Sequence, residues 1–162
     1  AQPARWFKLS LALGPEFRHY GDEVPAAFGD REVLNLFVDG SATLTPCKAD
    51  TVTLSAKQFE QPGSSGRSTY KDWTSDLTGK HTFDKQWTIG FGGRAYNTDF
   101  RDPVFRNDWI LSANSFVNCA VTSRLNAELS CVFEHGLTLD PNASGRQYER
   151  QLVAGGLRYT FR

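Results

Sequence analysis

The sequence contains no long apolar run. No stretch of the 162 residues approaches the roughly 18 to 20 consecutive apolar residues that a membrane-spanning helix needs. The formal net charge of +0 leaves no basic excess, so we expect no nucleic-acid partner. Methionine is absent even at position 1, and we therefore expect a chain that is processed or is part of a longer one.

Cysteine is scarce, and its spacing argues against a metal site. An odd number of cysteines cannot all pair within one chain, and the spacings of Cys47, Cys119 and Cys131 match no zinc pattern. The three histidines have no nucleophile signature near them, so nothing local indicates a catalytic triad. We predict free cysteines, no metal, no cofactor and no enzymatic activity.

Apolar and polar residues alternate along most of the chain. In segment 6–18, Leu9 and Leu11 point to one side. Lys8 and Ser10 alternate with them and point to the other side, which is the period of a β-strand. Each such segment is near or above the ~9–11 residues of a tilted strand that crosses a bilayer, whereas ordinary strands have ~5–6. The same alternation recurs in segments 33–45, 51–60, 70–83, 86–98, 109–121, 125–134 and 151–161.

The links between these segments alternate in length. The short links are 46–50, 84–85 and 122–124, and the long polar links are 19–32, 61–69, 99–108 and 135–150. Transmembrane β-barrels have short turns on the periplasmic side and longer loops outside. We therefore predict a single domain over residues 1–162. Its predicted fold is an all-β, eight-stranded antiparallel up-and-down transmembrane β-barrel with both termini on the periplasmic side.

Aromatic residues cluster near the ends of the predicted strands. Trp and Tyr favour the headgroup region of a membrane because each ring is apolar and carries one polar atom. The sequence therefore predicts two aromatic belts. The predicted interface aromatics are Trp6, Phe17, Tyr70, Trp73, Trp87, Trp109, Phe133 and Phe161.

The predicted inward positions carry equal numbers of acidic and basic residues. An eight-stranded barrel is only just wide enough for its side chains to fill it, so charges inside it must pair. We therefore predict a charge-paired lumen. Its predicted network consists of Lys8, Glu16, Arg18, Asp39, Lys57, Asp72, Asp76, Lys80, Arg94, Glu128, Glu134 and Arg158.

The last third of the chain resembles a known class of protein. Residues 152–162 alternate hydrophobic side chains and place an aromatic, Phe161, next to the C-terminus. This pattern resembles the closing strand of bacterial outer-membrane β-barrels. The run from Asp108 to Arg162 resembles the last three strands of porin-like barrels, and the size of the chain resembles small OmpA-type and OmpX-type barrels.

The resemblance implies a location and partners, and no activity. It implies the outer membrane of a Gram-negative bacterium, where the lipid bilayer and lipopolysaccharide surround the barrel. It also implies that the outer-membrane assembly machinery recognises the last strand. We expect a structural, anchoring or surface-interaction role, with at most a narrow pore.

Two alternatives remain open at the level of the sequence. A soluble lipocalin-like barrel would turn its apolar face inward and bind an apolar ligand, but the strand lengths and the positions of the aromatics argue against it. The other alternative is that the chain forms the last eight strands of a larger porin. The even number of strands is compatible with both a complete small barrel and such a piece.

Overall fold

Eight β-strands form the chain in the computed structural model, which describes residues 6–19, 32–62, 69–84, 86–100, 106–139 and 147–161. They are 12 to 15 residues long, and the described residues include no helix. In chain order the strands are β1 (Phe7–His19), β2 (Glu32–Leu44), β3 (Asp50–Pro62), β4 (Thr69–Phe83), β5 (Trp87–Phe100), β6 (Arg106–Ala120), β7 (Leu125–Thr138) and β8 (Tyr148–Tyr159).

All eight strands belong to one sheet in which each strand pairs with its neighbours in the sequence. Every ladder is antiparallel, and the strand order runs from β1 to β8 without a crossover. The predicted eight-stranded up-and-down topology is therefore confirmed. The strands extend further into the long links than the alternation indicated: β6 begins at Arg106 and β7 continues to Thr138. Backbone pairing continues there although the side chains no longer alternate.

The register separates the side chains into two faces. Residues directly opposite each other in an antiparallel ladder point to the same side of the sheet. Leu54 lies opposite Ala42 on β2 and Leu77 on β4, and these positions belong to the apolar face. Ser55 lies opposite Ser41 and Asp76, and these positions belong to the polar face. The two names are used for these faces throughout.

The apolar face is exposed rather than packed. The described residues include no buried hydrophobic side chain, whereas Leu11 is 61% exposed, Phe17 77% and Leu157 77%. The buried side chains with polar or charged groups are Glu60, Asp72 and Thr98. This distribution is the reverse of that in a water-soluble globular protein, which buries its apolar residues.

The polar face is concave. One cavity of about 530 Å³ is lined by residues from five consecutive strands, including Thr53 of β3, Thr78 of β4, Asn114 of β6 and Ser130 of β7. Strands that lie four places apart in the sheet can line one cavity only if the sheet curls around it. The apolar face is therefore the convex side.

The predicted closure of the sheet into a barrel is not observed. No ladder joins β1 to β8, and every residue of β8 is exposed. Closure would require backbone pairing between β1 and β8, and the described strands do not pair there. The described hydrogen bonds and ion pairs between strands join neighbouring strands, so none of them crosses the concavity and draws the edges together.

Several side chains of the polar face lie flat against the sheet. The ring of Phe116 covers Gly90 on the neighbouring strand, and the ring of Tyr148 covers Gly136. A Cβ atom at either glycine would overlap the ring that covers it. These rings therefore line the wall of the concavity instead of filling it.

Candidate functional site

The polar face is the candidate functional site because it gathers the charged residues of the strands. The register places every residue of the predicted charge network there: Lys8, Glu16, Arg18, Asp39, Lys57, Asp72, Asp76, Lys80, Arg94, Glu128, Glu134 and Arg158. Alternation along each strand is sufficient to put these positions on one side. Their pairing inside a closed lumen remains a prediction, since the sheet is open.

Two ion pairs of the network join neighbouring strands. Nε of Arg94 on β5 donates to Oδ1 of Asp76 on β4 at 2.6 Å. Nζ of Lys57 on β3 lies 3.7 Å from Oδ2 of Asp39 on β2. The side chains of Arg94 and Lys57 are half-exposed, so each pair contributes at most about 1 kcal/mol to stability.

Two further ion pairs lie within single strands near the loop ends. Arg18 donates to Glu16 on β1. Arg106 donates from Nε to Oδ2 of Asp108 on β6 at 2.7 Å, and its guanidinium carbon lies 3.9 Å from the ring centroid of Phe100. The alternation did not indicate Arg106 and Asp108 as strand residues, because residues 99–108 were predicted to form a loop.

Asp72 is the centre of a buried hydrogen-bonded group in the site. Its side chain is 3% exposed, and Oδ1 accepts hydrogen bonds from the hydroxyls of Tyr96 and Thr98, both at 2.8 Å. A buried carboxylate needs such donors because burial removes it from water. The sequence predicted the position of Asp72 but not its partners. These follow from the hairpin register, in which Phe83 pairs with Trp87.

That register depends on a single residue at the turn. The sequence predicted a two-residue link, 84–85, whereas three residues, 84–86, separate β4 from β5. Asp84 occupies the left-handed region with φ of 45°, which a tight turn requires. A shift of one residue would turn every side chain of one strand to the other face.

The strands β2 and β3 separate toward the loop end. Their ladder pairs only residues 38–44 with 52–58, although both strands continue beyond it. The side-chain amide of Gln58 donates to the carbonyl of Leu36 at 3.0 Å and so extends the connection. Asn35 donates to the buried carboxylate of Glu60 at the same place. Side chains thus replace backbone pairing where the strands part.

Other charges of the network face the concavity. Lys80 and Glu128 line the cavity of about 530 Å³, and Glu128 and Arg158 line a second cavity of about 320 Å³ near the turn end. Glu134 accepts a hydrogen bond from the hydroxyl of Tyr148 at 2.7 Å. The concave surface therefore combines charges of both signs with hydroxyl and amide groups, which suits contact with water and hydrated solutes.

The predicted interface aromatics lie toward the ends of the strands, with two exceptions. Trp6, Trp87 and Phe161 are at the turn end, and Phe17, Trp73 and Trp109 are in the loop half. Phe133 lies opposite Ala113, near the middle of the strands, because β7 continues to Thr138. Tyr70 lies on the polar face, because it is two residues from Asp72 on the same strand, and the ladder places it opposite Phe100. The two ring centroids are 5.2 Å apart, so Tyr70 packs inside the concavity.

A small polar cluster occupies the turn between β2 and β3. Nδ1 of His81 lies 2.5 Å from Oδ1 of Asp50, and the thiol of Cys47 donates to Oδ2 of Asp50 at 2.9 Å. No group of three or more His, Cys, Asp or Glu side chains among the described residues is arranged to hold a metal ion. We therefore assign this cluster to the stability of the turn.

Replacement of Asp72 tests the buried hydrogen bonds. We expect Asp72→Ala to lower the free energy of unfolding by about 1–3 kcal/mol, because the hydroxyls of Tyr96 and Thr98 lose their acceptor. Asp76→Ala on the same strand is the control, and it should cost at most about 1 kcal/mol since its partner Arg94 is 58% exposed. Urea unfolding of the refolded protein in detergent micelles measures both. Equal losses would contradict the assignment.

The comparisons with known proteins add no further information on the site. Protein-family models, curated proteins and solved structures gave no significant match to this chain. The described residues also include no helix that is long and apolar enough to cross a membrane.

Proposed function

We propose that the chain is an integral outer-membrane β-sheet protein whose convex apolar face contacts lipid and whose concave polar face lines an aqueous passage. The observation that carries this proposal is the inverted distribution of side chains. No hydrophobic side chain among the described residues is buried, and the apolar face extends over all eight strands.

Lipid is the solvent that suits the apolar face. A water-soluble monomer rarely exposes a continuous apolar patch larger than a few hundred Å². A 13-residue strand such as β1 is about 43 Å long at roughly 3.3 Å per residue, and a tilt of about 45° reduces its rise to about 30 Å. That rise equals the thickness of the hydrocarbon core of a bilayer.

The aromatic residues at both strand ends support the same orientation. Trp87 at the turn end is 47% exposed, and Phe17 at the loop end is 77% exposed. In a bilayer these rings would lie at the two headgroup regions. The indole nitrogen of Trp73 donates to the hydroxyl of Ser75 at 2.9 Å, which satisfies its polar atom close to the apolar face.

The direction of the polar contacts favours an aqueous passage over a barrel whose interior is filled by side chains. The ion pairs Asp39–Lys57 and Asp76–Arg94 lie along the wall, and the ring of Phe116 lies flat on it. A plugged barrel would need contacts that cross its interior. The lipocalin-like alternative is disfavoured because the concave side, where such a protein binds its apolar ligand, is here the charged one.

The bacterial outer membrane is the proposed location. The alternation at the end of the chain, with Phe161 next to the C-terminus, supports recognition by the outer-membrane assembly machinery of a Gram-negative bacterium. The long links would then face lipopolysaccharide.

An arginine scan of two adjacent positions tests the contact with lipid. Leu54 is on the apolar face at the middle of β3, and Ser55 is next to it on the polar face. We expect Leu54→Arg to reduce the stability of the folded protein in vesicles by about 2–4 kcal/mol, because a charged side chain near the bilayer midplane is destabilising. Ser55→Arg should cost much less, since it faces water and Asp76. Folding titrations into lipid vesicles measure both, and a larger loss for Ser55→Arg would overturn the proposal.

Conductance in a planar bilayer tests the passage. We expect the refolded chain, with its cysteines replaced by serine, to give steady conductance steps. A bulky thiol reagent should reduce the steps of a Ser130→Cys variant, because Ser130 lines the cavity. The neighbouring Leu129→Cys variant is the control and should be unaffected, since Leu129 is on the apolar face. If protein that has demonstrably inserted into the bilayer gave no conductance, this result would contradict the aqueous passage.

A further inference from the structure

Among the described residues, no strand pairs with the outer edge of β1, which has 13 residues, or of β8, which has 12. In hydrocarbon, each backbone N–H or C=O without a partner costs several kcal/mol. A sheet that spans a membrane must therefore have both edges paired.

We propose that β1 of one chain pairs with β8 of a second copy, and β8 of the first with β1 of the second, so that two copies close one barrel. Two sheets of eight strands give a barrel of sixteen. This inference rests on the proposed function, since only a membrane-embedded sheet requires closure. The aqueous passage is then incomplete without the second copy.

Strand direction and length fit this pairing. With an even number of strands in an up-and-down sheet, β1 and β8 run in opposite directions. A twofold axis along the barrel axis preserves the direction of each strand, so β1 of one copy meets β8 of the other in the antiparallel sense. Their lengths differ by a single residue, and each strand can cover the other edge almost completely.

The faces of the two edge strands also match. On β1 the apolar face carries Leu9 and Leu11, and on β8 it carries Val153 and Leu157. Any register that keeps these residues together keeps both faces continuous across the junction. Acidic Glu16 of β1 and basic Arg150 of β8 lie on the polar face near the loop end of their strands, where opposite charges come together.

The side chains of the polar face favour a second copy over closure of one chain on itself. An interior of eight strands is only just filled by side chains, whereas sixteen strands enclose an aqueous channel. Besides its charges, the polar face carries seven large rings, those of Phe37, Phe59, Tyr70, Tyr96, Phe100, Phe116 and Tyr148. The described contacts hold such groups against the wall, as an open interior requires.

Cysteine cross-linking between singly substituted copies tests the pairing. In a background with Cys47, Cys119 and Cys131 replaced by serine, Ala12→Cys places one thiol on β1. A second, tagged protein carries one thiol on β8, as Ala154→Cys, Gly156→Cys or Arg158→Cys, all on the polar face. The two proteins are refolded together in lipid vesicles and oxidised.

We expect a disulfide-linked species of twice the mass in the mixture for at least one β8 position. Because each chain has one thiol, this bond can join only two copies, and the position that reacts reports the register. Neither protein alone should give the tagged, linked species. A control with Ser55→Cys in place of Ala12→Cys should not cross-link, because β3 lies inside the sheet.

Closure of one chain on itself gives the opposite pattern. A chain with both thiols would then form the disulfide within a monomer, and the mixture of single variants would form none. That result, or no disulfide in either experiment, overturns the proposal. It leaves the contact with lipid intact, since the Leu54 and Ser55 variants report insertion independently of the number of copies.

Discussion

The structure depends on the alternation of side chains along strands whose backbones are paired within the sheet. Pairing satisfies the backbone N–H and C=O groups of the inner strands. The side chains then determine whether a face of the sheet contacts an apolar or an aqueous environment. Because successive side chains point to opposite sides, Leu54 and Ser55 contact different surroundings although they are neighbours. One sheet therefore has an apolar and a charged surface without any apolar core.

The contacts of the polar face follow from the same geometry. Residues opposite each other on neighbouring strands are close, so Asp76 meets Arg94, and Asp72 meets Thr98. These contacts lie along the wall, and none of those described crosses the concave space. The proposed passage depends on this arrangement, in which the charges pair along the sheet and not across it.

The sequence was sufficient for the strands but not for their closure. Alternation located β1 almost to the residue, because its apolar set is regular, whereas β6 began three residues before the predicted start, at Arg106. The partners of Asp72 depend on a one-residue difference at the turn that contains Asp84, whereas the face of Tyr70 follows from its spacing of two residues from Asp72 on β4. Whether β1 meets β8 depends on the curvature of the whole sheet, which no local pattern contains.

Collisional quenching along one strand measures directly which side chains contact lipid and which contact water. Fluorescent labels at single cysteines introduced at positions 52–57 of β3 would report the surroundings of six successive side chains in lipid vesicles. We expect a lipid-borne quencher to act at 52, 54 and 56, and a water-soluble quencher to act at 53, 55 and 57. Quenching without alternation, or with the two quenchers exchanged, would contradict the proposed contact of the apolar face with lipid.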